Sequence, residues 1–305
     1  MVSALDKAKI SYILSLLPKN IAAAAKKPIL MGASVDEIRL RVNKPVMVTV
    51  SGKSLYLSED GQISYLSEKP LICDSTALHE TFLRLCDNSV FSHTEELSEG
   101  FISVKGGFRA GVCGDFSCGA LPEVTSVNIR VAREVRGCST PLFTAFCGGM
   151  LIAGPPGCGK TTILRDLIRS LSEVGYRVSV IDSRREISGG TGDFSFDLGG
   201  NTDVIFSSDK VRGVQMALRS MYPQIIAFDE VGKSEEIKSV LEAFNSGAHI
   251  LTTSHAGNVF ELRARPVTRK LLDSGVLKTV VIMPKNIGGE MKIYSIEEVL
   301  NAVSF

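Results

Sequence analysis

A glycine-rich stretch at residues 154–162, GPPGCGKTT, constrains the fold of this chain more than any other segment. Its residues fit the pattern GxxxxGK[ST], which binds phosphate when a strand precedes it and a helix follows it. The apolar run MLIA at residues 150–153 supplies the strand. Apolar residues at helical spacing supply the helix: Ile163, Leu164, Leu167, Ile168 and Leu171. The stretch therefore predicts an α/β domain with a phosphate-binding loop.

Each residue type in this loop has a distinct role in binding phosphate or Mg²⁺. Glycines allow successive backbone N–H groups to curve around phosphate oxygens, Lys160 reaches the β and γ phosphates, and the Thr161 hydroxyl binds Mg²⁺ at a helix N-terminus that favours anions. Cys158 is either a small residue on a tight turn or a redox-active thiol. We therefore predict that ATP and Mg²⁺ bind here. The predicted loop residues are Gly154, Pro155, Pro156, Gly157, Cys158, Gly159, Lys160, Thr161 and Thr162.

Two carboxylates end another apolar strand, QIIAFDE at residues 224–230. Ligands of open α/β sheets bind at the carboxyl ends of the strands, so Asp229 and Glu230 are predicted beside the phosphate loop. Asp229 is the candidate for holding Mg²⁺ and its hydration shell, and Glu230 is the candidate base that takes a proton from an attacking water. The alternative is that both residues only cap the helix that follows, KSEEIKSVLEAF.

Polar residues also end the strand AHILTTSH at residues 248–255. His255, at its tip, is a candidate catalytic sensor of the γ-phosphate or the attacking water, with a structural role as the alternative. His249, within the strand, is predicted to be a core residue.

Acidic residues follow a further apolar strand in VSVIDSRREI at residues 178–187. Asp182 and Glu186 either position the attacking water or Mg²⁺, or pair with Arg184 and Arg185. The sequence does not decide between these two interpretations.

The pattern of apolar and polar residues changes near residue 140. Before it, a first amphipathic helix is predicted to end before Pro18 and either packs on its own domain or binds a partner. The alternation of apolar and charged residues at 36–57 indicates a strand meander, and a helix is predicted around residues 75–86. After residue 140, apolar strands alternate with helices, which predicts a mostly parallel sheet. We therefore predict a smaller α+β domain at 1–140 and a P-loop domain at 141–305.

Charge and cysteine usage disfavour some classes of function. The formal net charge is only +1 over 305 residues, which gives no support to a nucleic-acid backbone as the main ligand. Seven cysteines, an odd number, suit reduced thiols in a cytoplasm. The N-terminus does not resemble a signal peptide and no run reaches 18 apolar residues, so we expect a cytoplasmic protein that reaches a membrane only through a partner or a surface helix.

Several segments, taken in order, resemble the boxes of the secretion-type ATPases, the hexameric motors of type II and type IV secretion and of type IV pili. These segments lie at residues 154–162, 178–187 and 218–256. Residues 36–48, 100–115 and 219–232 more closely resemble the stage III sporulation protein AA family, the ATPases of the channel that links mother cell and forespore. The resemblance covers about residues 33 to 300.

The resemblance implies a RecA-like core in which a strand carrying the sensor flanks the P-loop strand, preceded by a domain that caps nucleotide in a ring. It also implies a homo-oligomer, a hexamer, that binds a membrane protein of the sporulation channel on the mother-cell side. The site residues that it assigns are Lys160 and Thr161 in the P-loop, Asp182 and Glu186 in the acidic box, Glu230 as the catalytic glutamate and His255 in the histidine box.

Secretion motors also bring arginines from the last strands of the N-terminal domain to the nucleotide. Arg109 in GGFRAGV and Arg130 in NIRVARE occupy similar places, with Arg133 as a second choice. Surface ion pairing is the alternative role for these arginines.

Functions of three classes fit these features. The leading hypothesis is an oligomeric ATPase that drives or gates a transport apparatus. The second is a nucleic-acid-binding protein regulated by its P-loop, which the near-zero net charge disfavours. The third is a scaffold that holds ATP without turnover, which Glu230 disfavours because a base beside the phosphates serves hydrolysis.

Overall fold

The computed structural model describes residues 4–30, 35–50, 52–105, 108–115, 123–131, 134–190, 195–285 and 289–302. The chain forms two compact units, one of Met1–Arg133 with Gly189–Ser195, the other of Glu134–Ser188 with Phe196–Phe305. Within the described ranges, no helix combines the length and the hydropathy needed to cross a bilayer.

The first unit is built on an antiparallel sheet. Its strands are β1 (Val35–Arg41), β2 (Lys44–Pro45), β3 (Met47–Val50), β4 (Lys53–Leu57), β5 (Ile63–Ser64), β6 (Ile72–Cys73), β7 (Phe101–Val104), β8 (Phe108–Asp115) and β9 (Glu123–Arg130). Its helices are α1 (Ala4–Leu16), α2 (Lys19–Leu30), α3 (Ser75–Leu85) and α4 (Thr94–Ser98), with a short 3-10 helix at Val90–His93. The main sheet has the order β5-β4-β3-β1-β9-β8-β7, and β2 pairs with β6.

The two-residue period of the strands separates a buried face of this sheet from a polar one. The buried face contributes Ile38, Leu40, Ala110, Val112, Val127 and Ile129 to one apolar core. Helices α1 and α2 add Ile13, Leu16 and Ile21 to the same core. The first helix therefore packs on its own unit, which is one of the two roles predicted for it.

The second unit is built on a mostly parallel sheet. Its strands are β10 (Met150–Ala153), β11 (Val178–Ile181), β12 (Thr202–Ile205), β13 (Ile225–Phe228), β14 (His249–Ser254), β15 (Thr279–Ile282) and β16 (Lys292–Ser295). Its helices are α5 (Thr140–Thr144), α6 (Lys160–Glu173), α7 (Lys210–Ser220), α8 (Ser234–Asn245), α9 (Val259–Ala264), α10 (Pro266–Asp273) and α11 (Ile296–Asn301). The strand order is β12-β11-β13-β14-β10-β15-β16, and the β15–β16 pair is antiparallel.

The strand order brings the predicted motifs to one edge of this sheet. Strand β10 lies between β14 and β15, and β13 lies on the other side of β14. The pairs β10–β14 and β13–β14 are parallel, so the segments that follow these three strands start at the same edge. Alternate residues of β10 enter two different apolar cores, one on each face of the sheet. The prediction of a mostly parallel α/β sheet is confirmed.

The two units divide before Glu134, ahead of the boundary predicted at residue 140. The connector at residues 136–141 belongs to the second unit, where the carboxylate of Asp166 on α6 binds it. Asp166 accepts hydrogen bonds from the backbone N–H of Gly137 at 3.1 Å, and from the backbone N–H and the hydroxyl of Ser139 at 2.8 and 2.7 Å.

Candidate functional site

Three glycines shape the loop between β10 and α6. A Cβ on Gly154 would lie 2.6 Å from both Cys158 Sγ and Met283 Cβ, so a larger residue there would displace its neighbours. Gly157 and Gly159 have φ of +75° and +96°, in the left-handed region that favours glycine. Backbone of this kind turns successive N–H groups toward a common point, which is how such loops bind phosphate.

Lys160 begins α6, and its side chain turns back over the loop. Its Nζ lies 2.9 Å from the carbonyl oxygens of Gly154 and Pro155, and 3.1 Å from Nδ1 of His255. Lys160 is only 7% exposed, and this burial lowers the pKa of its ammonium group. Phosphate oxygens would compensate this burial better than neutral carbonyls do, because charge-assisted hydrogen bonds are the stronger ones.

Two carboxylates follow directly after β13. Asp229 Oδ1 accepts a 2.7 Å hydrogen bond from the hydroxyl of Thr253 on the neighbouring strand β14. Glu230 Oε2 lies 3.3 Å from Nε2 of His255. Helix α8 is capped by Glu236, whose side chain accepts the N–H groups of Gly232 and Lys233. Capping of α8 therefore does not account for Asp229 and Glu230.

His255 connects Lys160 to Glu230. Because an ammonium group only donates hydrogen bonds, Nδ1 of His255 accepts from Lys160. The ring proton of His255 is then on Nε2, which lies 3.3 Å from Glu230 Oε2. Residues from three separate segments therefore form one continuous chain of polar contacts.

Hydroxyl and carboxylate oxygens of the kind that Mg²⁺ prefers are present at this edge. Thr161 lies half-buried in the first turn of α6, and Asp229 lies half-buried after β13. The donor chemistry of both residues fits the predicted metal. Cys158 is 3% exposed and lies against Gly154, so it occupies the role of a small residue on the tight turn.

Sequence comparison relates the chain to a known family. The family described as "Sporulation stage III, protein AA" matches residues 7–299. Stage III sporulation protein AA of Bacillus subtilis (strain 168) is 31% identical over 276 residues, which cover 85% of this chain and 86% of that protein. The chain belongs to this family.

Solved structures show which fold this member of the sporulation stage III protein AA family has. The ATPase DotB of Yersinia pseudotuberculosis superposes with a TM-score of 0.59 at 16% identity, covering 88% of this chain and 76% of DotB. The pilus retraction motor PilT, solved with bound ADP, gives 0.52 at 18% identity, covering 88% and 79%. The chain therefore has the RecA-like fold of the secretion ATPases. The predicted sensor strand beside the P-loop strand is β14, which pairs with β10.

The acidic box of this family member is a tight loop. Asp182 is 3% exposed and accepts hydrogen bonds from the backbone N–H groups of Glu186 at 3.1 Å and Ile187 at 3.3 Å. It also accepts from the N–H and the hydroxyl of Ser188, both at 2.7 Å. The Asp182 carboxylate therefore stabilises the loop that carries the half-buried Glu186. Direct roles of Asp182 and Glu186 in hydrolysis stay predictions.

Arg109 on β8 and Arg130 on β9 face each other in the sheet of the first unit. They are direct partners in the register of the antiparallel pair. The Arg109 guanidinium lies 3.8 Å from the ring centroid of Phe101, and Arg130 Nε lies 3.8 Å from Glu37 Oε1. Two neighbouring cations repel each other, and the Glu37 carboxylate compensates part of the charge of Arg130. Their contact with nucleotide stays a prediction, and Arg133 lies outside the described residues.

Arg165 and Asp166 on α6 were not among the residues predicted from sequence. They are 4% and 5% exposed. Arg165 donates to the carbonyl oxygens of Glu186 and Ile187 in the acidic loop, while Asp166 binds the connector. A sequence signal for these two residues was present, since they interrupt the apolar stretch of α6. Charged residues in such a stretch are buried only when other groups pair with their charges.

Proposed function

We propose that this chain is a Mg²⁺-dependent ATPase that powers or gates a secretion-like transport channel in sporulation, as between mother cell and forespore. The observation that carries the proposal is the chain of contacts from Lys160 through His255 to Glu230 at the end of the phosphate loop. Family membership and a fold shared with proteins described as ATPases support it.

Each residue of the site has a separate role in the proposed hydrolysis of ATP. The phosphates of ATP lie on the backbone N–H groups of the loop and on Lys160. Glu230 takes a proton from the attacking water, and His255 holds the Glu230 carboxylate in one orientation. Thr161 and Asp229 would hold Mg²⁺, which would neutralise charge on the phosphates.

We further propose that the protein works as a homo-hexamer attached to a membrane protein of the channel, on the cytoplasmic face of the mother cell. Support comes from the name of the Bacillus subtilis relative and from the shared fold of the secretion ATPases.

Replacing His255 with alanine is expected to slow hydrolysis by about 10- to 100-fold, because one or two charge-assisted hydrogen bonds of about 1.5–3 kcal/mol are lost. ATP affinity should change by less than about threefold, since Lys160 keeps its charge. Steady-state turnover and calorimetry measure the two quantities. His249→Gln is the matched control, because His249 begins strand β14, which His255 directly follows, and packs edge-on against Phe146. An equal loss in both variants would contradict the role of His255.

Replacing Lys160 with alanine is expected to weaken ATP binding by about 10- to 100-fold, the loss of one strong charged partner of the phosphates. Isothermal calorimetry measures the affinity, and a thermal unfolding curve checks that the fold survives. Lys238→Ala, at an exposed position of α8, is the matched control. Parental ATP affinity in the Lys160 variant would refute the assignment.

The hydrolysis rate at fixed salt, with and without single-stranded DNA, tests the proposed function against a nucleic-acid-binding role. The proposal predicts measurable turnover that DNA does not change. Stimulation by DNA would favour the nucleic-acid-binding class instead, because such proteins couple binding of the nucleic-acid backbone to hydrolysis of the nucleotide.

A further inference from the structure

Two charged side chains fix the backbone of the acidic loop. Asp182, after β11, accepts the N–H groups of Glu186, Ile187 and Ser188 at 3.1, 3.3 and 2.7 Å. Arg165, on α6, donates to the carbonyl oxygens of Glu186 and Ile187, both at 2.8 Å. In both Glu186 and Ile187, Asp182 therefore binds the backbone N–H group and Arg165 binds the carbonyl oxygen.

Packing alone does not account for an arginine at position 165. The residue is 4% exposed, and burial lowers the pKa of its guanidinium to about 10, with the charge of Glu134 as the largest opposing effect. Its Cζ lies 3.5 Å from the ring centroid of Phe196. An apolar side chain of similar length could cover that ring without the cost of desolvating a charge. The two carbonyl contacts are what an apolar residue cannot make.

Arg165 also belongs to the helix that begins the phosphate site. Thr161, in the first turn of α6, precedes it by one helical turn, so the two residues share a face of the helix. The helix that binds phosphate at its N-terminus thus carries the residue that fixes the Glu186 loop.

We propose that Arg165 is a positioning residue for ATP hydrolysis: by binding the carbonyl groups of Glu186 and Ile187, it fixes the Glu186 carboxylate relative to the phosphate-binding loop. This inference rests on the proposed ATPase function. Arg165 acts through Glu186 on the rate of hydrolysis and does not act on ATP affinity.

The first test compares Arg165→Met with Arg169→Met. Arg169 lies one turn further along α6 and pairs with Asp166 and Glu173 instead of the acidic loop. Arg165→Met should lower kcat about tenfold or more and change KM less than about threefold, whereas Arg169→Met should keep kcat within about twofold. Arg165→Lys, which keeps the charge but lacks the fork of donors, should fall between Arg165→Met and the parent.

The second test is a double-mutant cycle with Glu186→Gln. If Arg165 acts through Glu186, adding Arg165→Met to Glu186→Gln should cost less than about a further twofold in kcat, because neighbours that act together are not additive. A loss in this background equal to that in the parent would mean that Arg165 is only structural, and would overturn the proposal.

Amide hydrogen exchange supplies a readout that does not depend on activity. Arg165→Met should speed exchange at Glu186, Ile187 and Ser188 by about tenfold or more, with little change in β10, and Arg169→Met should not. If the unsubstituted protein hydrolyses ATP but Arg165→Met leaves exchange at these amides unchanged, this inference alone would be overturned. Absence of turnover in the unsubstituted protein would overturn the proposed function, and the catalytic part of this inference with it.

Discussion

Replacing Glu230 with glutamine is expected to leave ATP binding within about threefold of the parent and to slow hydrolysis at least about 100-fold, the usual minimum for loss of a general base. Glutamine keeps the size of the side chain and a carbonyl oxygen that can face Nε2 of His255, but its amide cannot take a proton from water. Quenched-flow or coupled-enzyme measurement of phosphate release gives the rate, and calorimetry gives the affinity.

A matched control separates the loss of the base from the loss of a negative charge. Glu235→Gln, at an exposed position in the first turn of α8, removes the same charge a short distance along the chain. It should hydrolyse ATP within about twofold of the parent, since exposed charges contribute little. Hydrolysis by the Glu230 variant within about threefold of the parent would refute the assignment of Glu230, since loss of a general base usually costs far more.

Replacing both Arg109 and Arg130 with alanine is expected to reduce hydrolysis by about 1000-fold or more, the effect of arginines that stabilise phosphoryl charge in nucleotidases. ATP affinity should fall far less, because a guanidinium that acts in the transition state contributes little to ground-state binding. The adjacency of the two residues on β8 and β9 gives this prediction its basis. Each single variant shows which arginine carries the effect.

Arg41→Ala is the control for this surface, because Arg41 lies on β1 and its guanidinium contacts Met47. Parental hydrolysis by both Arg109→Ala and Arg130→Ala would mean that these residues are surface ion pairs. Mixing the double arginine variant with Glu230→Gln then tests the proposed oligomer. Partial recovery of activity indicates that the arginines act across a subunit interface, since some interfaces would combine an intact arginine with an intact base.

The turn between β10 and α6 and the positions of the strand-end residues were predictable because their signals are local. Gly154 to Thr161 form one contiguous pattern, and the rule that parallel strands end at one edge predicts that Glu230 and His255 share an edge with Lys160. The structure places the three side chains in contact, at 3.1 and 3.3 Å. The chain of contacts itself was not predicted, because it depends on rotamers that a sequence does not specify.

The contacts of Arg165, Asp166 and Asp182 were not predictable from spacing. Arg165 and Asp166 bind backbone atoms of segments distant in sequence, at Ile187 and Ser139, and backbone acceptors and donors leave no pattern in the side-chain sequence. The sequence offered two interpretations of Asp182, one in which it positions the attacking water or Mg²⁺ and one in which it pairs with Arg184 or Arg185. Stabilisation of its own loop through N–H groups was a third role that only the fold revealed.

The adjacency of Arg109 and Arg130 also required the structure. Both were predicted to lie on the last strands of the N-terminal domain, but a one-residue slip in the register of β8 against β9 would place them on opposite faces. The observed register sets them side by side on the polar face, while Ala110 and Ile129 enter the core. Burial of these apolar residues fixes the register of β8 against β9, and this register places Arg109 opposite Arg130.

The most direct test of the proposed ATPase function is phosphate release from ATP by the purified full chain, measured with Mg²⁺, with excess EDTA, and for Lys160→Ala prepared identically. We expect steady release by the parent with Mg²⁺, background release under EDTA, and release at least about tenfold slower in the Lys160 variant at subsaturating ATP. Release that persists unchanged in the Lys160 variant, or no release by a parent protein that binds ATP, would contradict it.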